Sequence, residues 1–158
     1  MKDFSAQIAE ILKSIPTGTF TCEPGCTDCC NRHAWSWAEW KRVAEDKRLE
    51  ATSIDAHCPY ATGSGCSCYD ERPIICRLYG LADDIGKYGP FDHVSLKCPK
   101  GLEPTKQLSR QEARAIFLLV TEIRDKEARE RVRTGAWPIF AGPYGRIMSE
   151  AYAKGQVI

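Results

Sequence analysis

Nine cysteines fall between positions 22 and 98 of a 158-residue chain, and the flanks, 1–21 and 99–158, contain none. Their spacing is Cys22-x3-Cys26-x2-Cys29-Cys30, then Cys58-Pro59, Cys66-x-Cys68, Cys76 and Cys98-Pro99. Disulfides, metal thiolates and unconnected core thiols would each leave a different pattern. Disulfides need an oxidising compartment, and the residues after Met1 carry no secretory apolar core, because Asp3 and Glu10 interrupt it. The count is odd, and adjacent Cys29 and Cys30 could bridge each other only with backbone strain. Inert thiols pack as small hydrophobes, which gives them no reason to gather beside Gly and Pro.

Metal ligation accounts for the spacing best. Thiolates around one centre must lie a few ångströms apart, and a short Gly-containing turn such as Cys22-Glu23-Pro24-Gly25-Cys26 brings them together with little loop-closure entropy. Cys58 and Cys98 each precede a proline, which removes one N–H and stiffens the backbone beside the sulfur. The rest of the composition points the same way. Leu, Ile, Val and Phe make up only 31 residues, near the low edge for a self-sufficient core. A metal cross-link supplies folding free energy to such a chain.

Zinc and iron–sulfur clusters both take thiolates. Structural zinc sites favour paired C-x2-C knuckles, whereas a tight group followed by remote single cysteines is closer to cluster ligation. A 4Fe-4S cluster is therefore the favoured cofactor, with zinc as the alternative. The run C-x3-C-x2-C also matches the cluster motif of radical S-adenosylmethionine enzymes, although the chain lacks their length and repeated βα pattern. Eight or nine thiols exceed the needs of one four-coordinate centre, so there are two centres or some thiols play supporting roles. His33, His57 and His93 lie in the same block, and each is read as an exposed or hydrogen-bonded imidazole rather than a ligand.

The segments Cys26-Thr27-Asp28-Cys29-Cys30, Cys58-Pro59 and Cys66-Ser67-Cys68-Tyr69-Asp70-Glu71-Arg72-Pro73-Ile74-Ile75-Cys76-Arg77, followed by Cys98, resemble the YkgJ-like cysteine-cluster family. That family carries a zinc- or iron-chelating domain with a C-x2-C-x2-C-C signature and a Tyr-x2-Arg-Pro-x2-Cys-Arg string. The resemblance covers positions 22 to 98 and implies a ligand set of Cys22, Cys26, Cys29, Cys30, Cys58, Cys66, Cys76 and Cys98. Cys68 stands where the family is typically aliphatic, and the first gap is one residue longer than the commonest form. The same domain is similar to part of flagellin lysine N-methylase, which implies an iron–sulfur site without carrying methyl transfer across. Arg72 and Arg77 are placed to offset thiolate charge, Tyr69 to cover the site from water, and Pro73 to set the turn.

Helical signals flank the cysteine block. Residues 3–15 carry Phe4, Ile8, Ile11, Leu12 and Ile15 on one stripe. Ser36 and Glu39 form a capping box, with Trp35 and Trp40 at the spacing of a hydrophobic staple. That helix start lies close enough to Cys29 and Cys30 for its dipole to favour thiolates. Trp35, Trp37 and Trp40 are read as core or as shielding of the metal. A second box, Ser109 and Glu112, opens a helix over 109–134 that stops at Gly135. Its charged half, Arg124 to Arg133, is read as a solvated face. The tail beyond it is read as irregular and packed back on the core, and 51–100 as loops and short helical turns without a sheet. The expected fold is a single domain over 1–158, mainly α, with an irregular cysteine-rich metal-organised centre between N-terminal and C-terminal helices.

A net charge of +1 gives no long-range field for nucleic acid or anionic membrane. The longest apolar run, Ala115 to Val120, is far too short to cross a bilayer. A cytoplasmic protein is expected. Phosphate-cradling Gly loops, G-x-S-x-G and H-E-x-x-H are all missing, so the sequence leaves open whether the chain is an enzyme. Three readings stand. The first is an iron–sulfur module for redox chemistry, metal handling or accessory work. The second is a zinc-stabilised domain that binds a protein partner through its charged helix. The third is an S-adenosylmethionine-dependent enzyme related to the methylase.

Overall fold

A computed structural model describes residues 3–17, 23, 25–30, 33–87 and 94–156. Its elements in chain order are α1 (Ser5–Ser14), α2 (Trp37–Trp40), β1 (Ala61–Thr62), β2 (Gly65–Cys66), α3 (Ile74–Leu78), α4 (Arg110–Thr134) and α5 (Gly145–Ala153). Two 3-10 turns, Glu45–Lys47 and Tyr69–Glu71, stand between them.

The expectation of a mainly α fold does not hold. Helix accounts for only 42% of the structure, and β1 pairs antiparallel with β2, where no sheet was expected. The cause is local. From Ala51 to Leu108 only α3 is an α-helix among the described residues, and Gly, Pro and turn-forming residues carry the rest of the path. Many of its backbone groups are satisfied by single turn bonds, such as Ala61 N to Cys58 O at 2.9 Å and Gly101 N to Cys98 O at 2.9 Å.

Two apolar clusters hold the molecule together. The larger joins Phe4 and Ile8 around α1, Ile74 and Leu78 of α3, and Ile116, Val120 and Ile123 of α4, with Leu81, Ile85 and Leu96 filling in from the loops. Ile8, Ile74, Leu78 and Leu96 are completely enclosed. The smaller cluster gathers Trp35, Trp40, Val43, Tyr60, Cys68 and Ala141, with Cys58 and Cys66 against it. Trp35 and Trp40 meet edge to face at 5.3 Å, so the expected staple forms, although the helix it introduces is only one turn long.

The helical signals locate α1 and α4 well. Ser109 Oγ accepts from Glu112 N while the Glu112 carboxylate accepts from Ser109 N, and Gly135 closes α4 in the left-handed region at φ 67°. The charged half of α4 is not wholly solvated. Glu127 is buried, and its two carboxylate oxygens accept from Trp37 N at 2.6 Å and Ala38 N at 3.0 Å. Arg131 lies 4.0 Å over the Trp37 ring. The tail does fold back, but as a helix. Ser149 Oγ of α5 accepts from Ile139 N and Phe140 N, and the Tyr144 hydroxyl donates to Ala56 O at 2.7 Å.

Candidate metal centre

The cysteines that the sequence scatters over 26–76 come together between the two apolar clusters. Turns closed by Cys26 N to Glu23 O and Cys30 N to Thr27 O present Cys26, Cys29 and Cys30. Cys58 enters just before the hairpin, Cys66 ends β2, Cys68 follows it, and Cys76 sits inside α3. All seven line one hollow of about 330 Å³, together with Trp35, Tyr60, Tyr69 and Arg72. A second hollow of about 220 Å³ adjoins it and holds Cys98. Cys26, Cys29, Cys76, Tyr69 and Arg72 face both hollows.

Cys22 and His93 lie outside the described residues. Of the implied ligand set, the structure therefore brings Cys26, Cys29, Cys30, Cys58, Cys66 and Cys76 around one space and Cys98 to its neighbour. Cys68, which the family pattern sets aside, is among them. Its sulfur is 3.7 Å from that of Cys66, about the separation of two sulfurs on one tetrahedral ion with metal–sulfur bonds of about 2.3 Å.

None of the eight described cysteines is in a disulfide, and none is fully exposed. Their electrostatics come in two pairs. Cys30 donates to Cys29, holding Cys29 down at about 7, and Cys68 donates to Cys66, holding it down at about 6, with Arg72 favouring both thiolates. The donors Cys30 and Cys68 are pushed up correspondingly. Burial raises Cys58 and carries Cys76 well above the ordinary thiol range. Such a low-dielectric pocket suits sulfur whose charge is shared with a metal and offset by a guanidinium.

The flanking residues behave unequally. Arg72 donates through Nε to Tyr69 O at 3.1 Å and lies 3.6 Å over the Tyr69 ring, which is itself partly exposed at the wall. Arg77 donates to Arg72 O and to Asp70 O, so backbone carbonyls engage these two guanidinia. Pro73 is enclosed and precedes α3. His33 donates through Nε2 to Cys29 O at 2.9 Å, and burial lowers its ring below the ordinary imidazole range. His57 is exposed.

The expectation that the α2 dipole faces the thiolates fails. Its first N–H groups are taken by Glu127 and by Ser36 Oγ. Sequence reasoning also missed the second role of Glu39. This enclosed carboxylate accepts from Ser36 N and Oγ and reaches Ile74 N at 2.7 Å, tying α2 to the helix that carries Cys76. The capping-box pattern identified the residue but could not show its partner 35 positions away.

Seven thiols, one guanidinium and aromatic walls share one space. Among the described residues, no three His, Cys, Asp or Glu side chains stand close enough together to hold a single metal ion. No family model, curated protein or solved structure matches this chain.

Proposed function

We propose that this chain is a cysteine-cluster metalloprotein whose thiolates hold an iron–sulfur cluster, serving as a redox, metal-handling or accessory module. The observation that supports the reading is that seven thiols from separated stretches line one hollow of about 330 Å³. Arg72 supplies positive charge to a centre whose ligands are all anionic. The Tyr69-x2-Arg72-Pro73-x2-Cys76-Arg77 string supports kinship with the YkgJ-like family.

A reducing, cytoplasmic setting accords with eight unpaired thiols. No helix of the described residues is long and apolar enough to cross a membrane. The test is anaerobic purification followed by iron, zinc and acid-labile sulfide analysis. Brown protein with iron and sulfide in equal amounts is expected. Colourless protein carrying zinc and no sulfide would overturn the cluster.

A further inference from the structure

Two thiols of the larger hollow are placed for covalent chemistry with each other. Cys66 ends β2, opposite Ala61 of β1, and Cys68 follows two residues on. Residues two apart on an extended segment face the same side, and the Cys66 and Cys68 sulfurs stand 3.7 Å apart. The backbone between them is anchored. Ser67 N donates to Tyr60 O at 2.8 Å. Tyr60 is itself enclosed, its hydroxyl donating to Lys47 O and accepting from Leu49 N. Beyond the pair, Glu71 N closes a turn on Cys68 O at 3.1 Å. A disulfide holds its sulfurs at about 2.05 Å, so these two must approach by less than about 2 Å.

The two sulfurs differ in access. Cys66 is half-buried, whereas Cys68 is buried and packs with Trp35, Trp40 and Tyr60. Both line the hollow of about 330 Å³, which has the size of a small-molecule pocket, and Arg72 shares its wall. Cys29 and Cys30 are also joined by a hydrogen bond, but adjacent cysteines bridge only with backbone strain. Exchange between thiols and disulfides needs two sulfurs and no third donor.

We infer that Cys66 and Cys68 form a dithiol–disulfide couple that exchanges with low-molecular-weight disulfides, Cys66 meeting the external disulfide and Cys68 resolving it. The Cys66 thiol gives up its proton and attacks one sulfur of the incoming disulfide. A bond forms between Cys66 and that sulfur, the incoming S–S bond breaks, and the departing thiolate takes up a proton. The Cys68 thiol then loses its proton, its sulfur attacks Cys66, and the second small thiol leaves protonated. Two electrons pass from the pair to the external disulfide, which becomes two thiols. Arg72 on the same wall offsets the negative charge of the attacking sulfur. The ring so closed is small, so the bridge adds little stability and is readily reduced. This couple is separate from the cluster reading, since it concerns the metal-free chain and withdraws two thiols from the hollow when it closes.

The experiment equilibrates the full-length chain, stripped with a chelator, in mixtures of reduced and oxidised glutathione. Acid quenching, alkylation of free thiols and tandem mass spectrometry then locate the disulfides. A Cys66–Cys68 bridge should be the first to form as the mixture becomes oxidising, and dithiothreitol should reverse it. It should need at least about tenfold less oxidised glutathione in buffer than in urea, because the folded chain holds the sulfurs together. In Cys68→Ser the exchange should stop at glutathione bound to Cys66. In Cys66→Ser, glutathione should reach the buried Cys68 at least about tenfold more slowly. The absence of a bridge, a first bridge elsewhere, or equal oxidation in urea overturns the couple. Faster capture of glutathione by Cys68 than by Cys66 overturns the assigned roles. If a serine variant fails to fold, the wild-type map and its urea comparison decide. None of these failures touches the iron and sulfide content of freshly isolated protein, on which the cluster reading is tested.

Discussion

The helical frame and the cysteine region obtain their order from different sources. In the frame, α1, α3 and α4 enclose Ile8, Ile74, Leu78 and Ala113 completely, and a capping box and a glycine stop mark the ends of α4. The segment from Cys26 to Cys76 has few such devices. It is held by the small cluster around Trp35, Trp40 and Tyr60, by single turn bonds and a two-residue ladder, and it carries a half-enclosed set of thiols. Apolar burial suffices for the first region, at roughly 1.5–3 kcal/mol per enclosed aliphatic side chain. In the second region the side chains that line the interior are largely thiols, and under the proposed reading its stability would be tied to a bound metal.

The strongest way to break this contrast is to remove the proposed metal. With a chelator, hydrogen exchange should accelerate across 25–76 while amides in the buried half of α4 stay protected; uniform acceleration would show that the regions are one cooperative unit. Cys29→Ser or Cys76→Ser should act in the same direction, lowering metal content and melting temperature together. Next in size is Ile116→Ala or Ile123→Ala in the frame. Each should cost about 2–5 kcal/mol by urea denaturation while metal stoichiometry stays at the wild-type value. A parallel loss of metal would join the two regions again.

Glu127→Gln sharpens the comparison at their junction. The amide keeps one acceptor oxygen where the carboxylate offers two to Trp37 N and Ala38 N, so a loss of about 1–3 kcal/mol is expected. The pH dependence has a definite sign. Burial raises both Glu39 and Glu127 above the ordinary carboxyl range. The folded state therefore binds protons more readily than the unfolded one, and this contribution is lost as pH rises through the folded values. As pH falls from neutral toward about 5, the Glu39 and Glu127 contribution should grow while that of the lowered Cys29 and Cys66 thiols is lost. The carboxyl part is therefore read as the difference between wild type and Glu127→Gln, which should gain less. Gly25→Ala should have a smaller effect on stability, of about 1 kcal/mol. Gly25 sits at φ 76°, and a Cβ there would lie 2.8 Å from Gly63 O, so the substitution pushes the Cys26 turn off the hairpin. Metal content read by elemental analysis should fall with it. Smallest of all is Leu119→Ser on the exposed face of α4, within about 0.5 kcal/mol and without effect on the metal.

Legibility in the sequence followed the same division. Ser109, Glu112 and Gly135 fixed the ends of α4 because caps are satisfied by neighbours within a few residues. The stripe Phe4, Ile8, Ile15 identified the buried face of α1 for the same reason. The charge run of α4 misled at Glu127, since a carboxylate that caps another helix looks like any surface acid until its partner arrives. α5 was invisible as a helix because it begins at a glycine, after Gly142-Pro143, with no side-chain cap. The hairpin was missed because two residues per strand leave no alternation to read.

The cysteine spacing by itself determined that this is a thiol-centred protein. Sulfur at short separations beside Gly and Pro is a local pattern, and local patterns survive in a one-dimensional text. Which thiols share a space was decided by the tertiary structure alone. Cys68 joins Cys66, Cys98 stands apart, and Cys76 lies on the wall between two hollows, because apolar clusters on either side bring turns from distant parts of the chain together. Burial is a property of the packed whole, and so are the pairings it enforces.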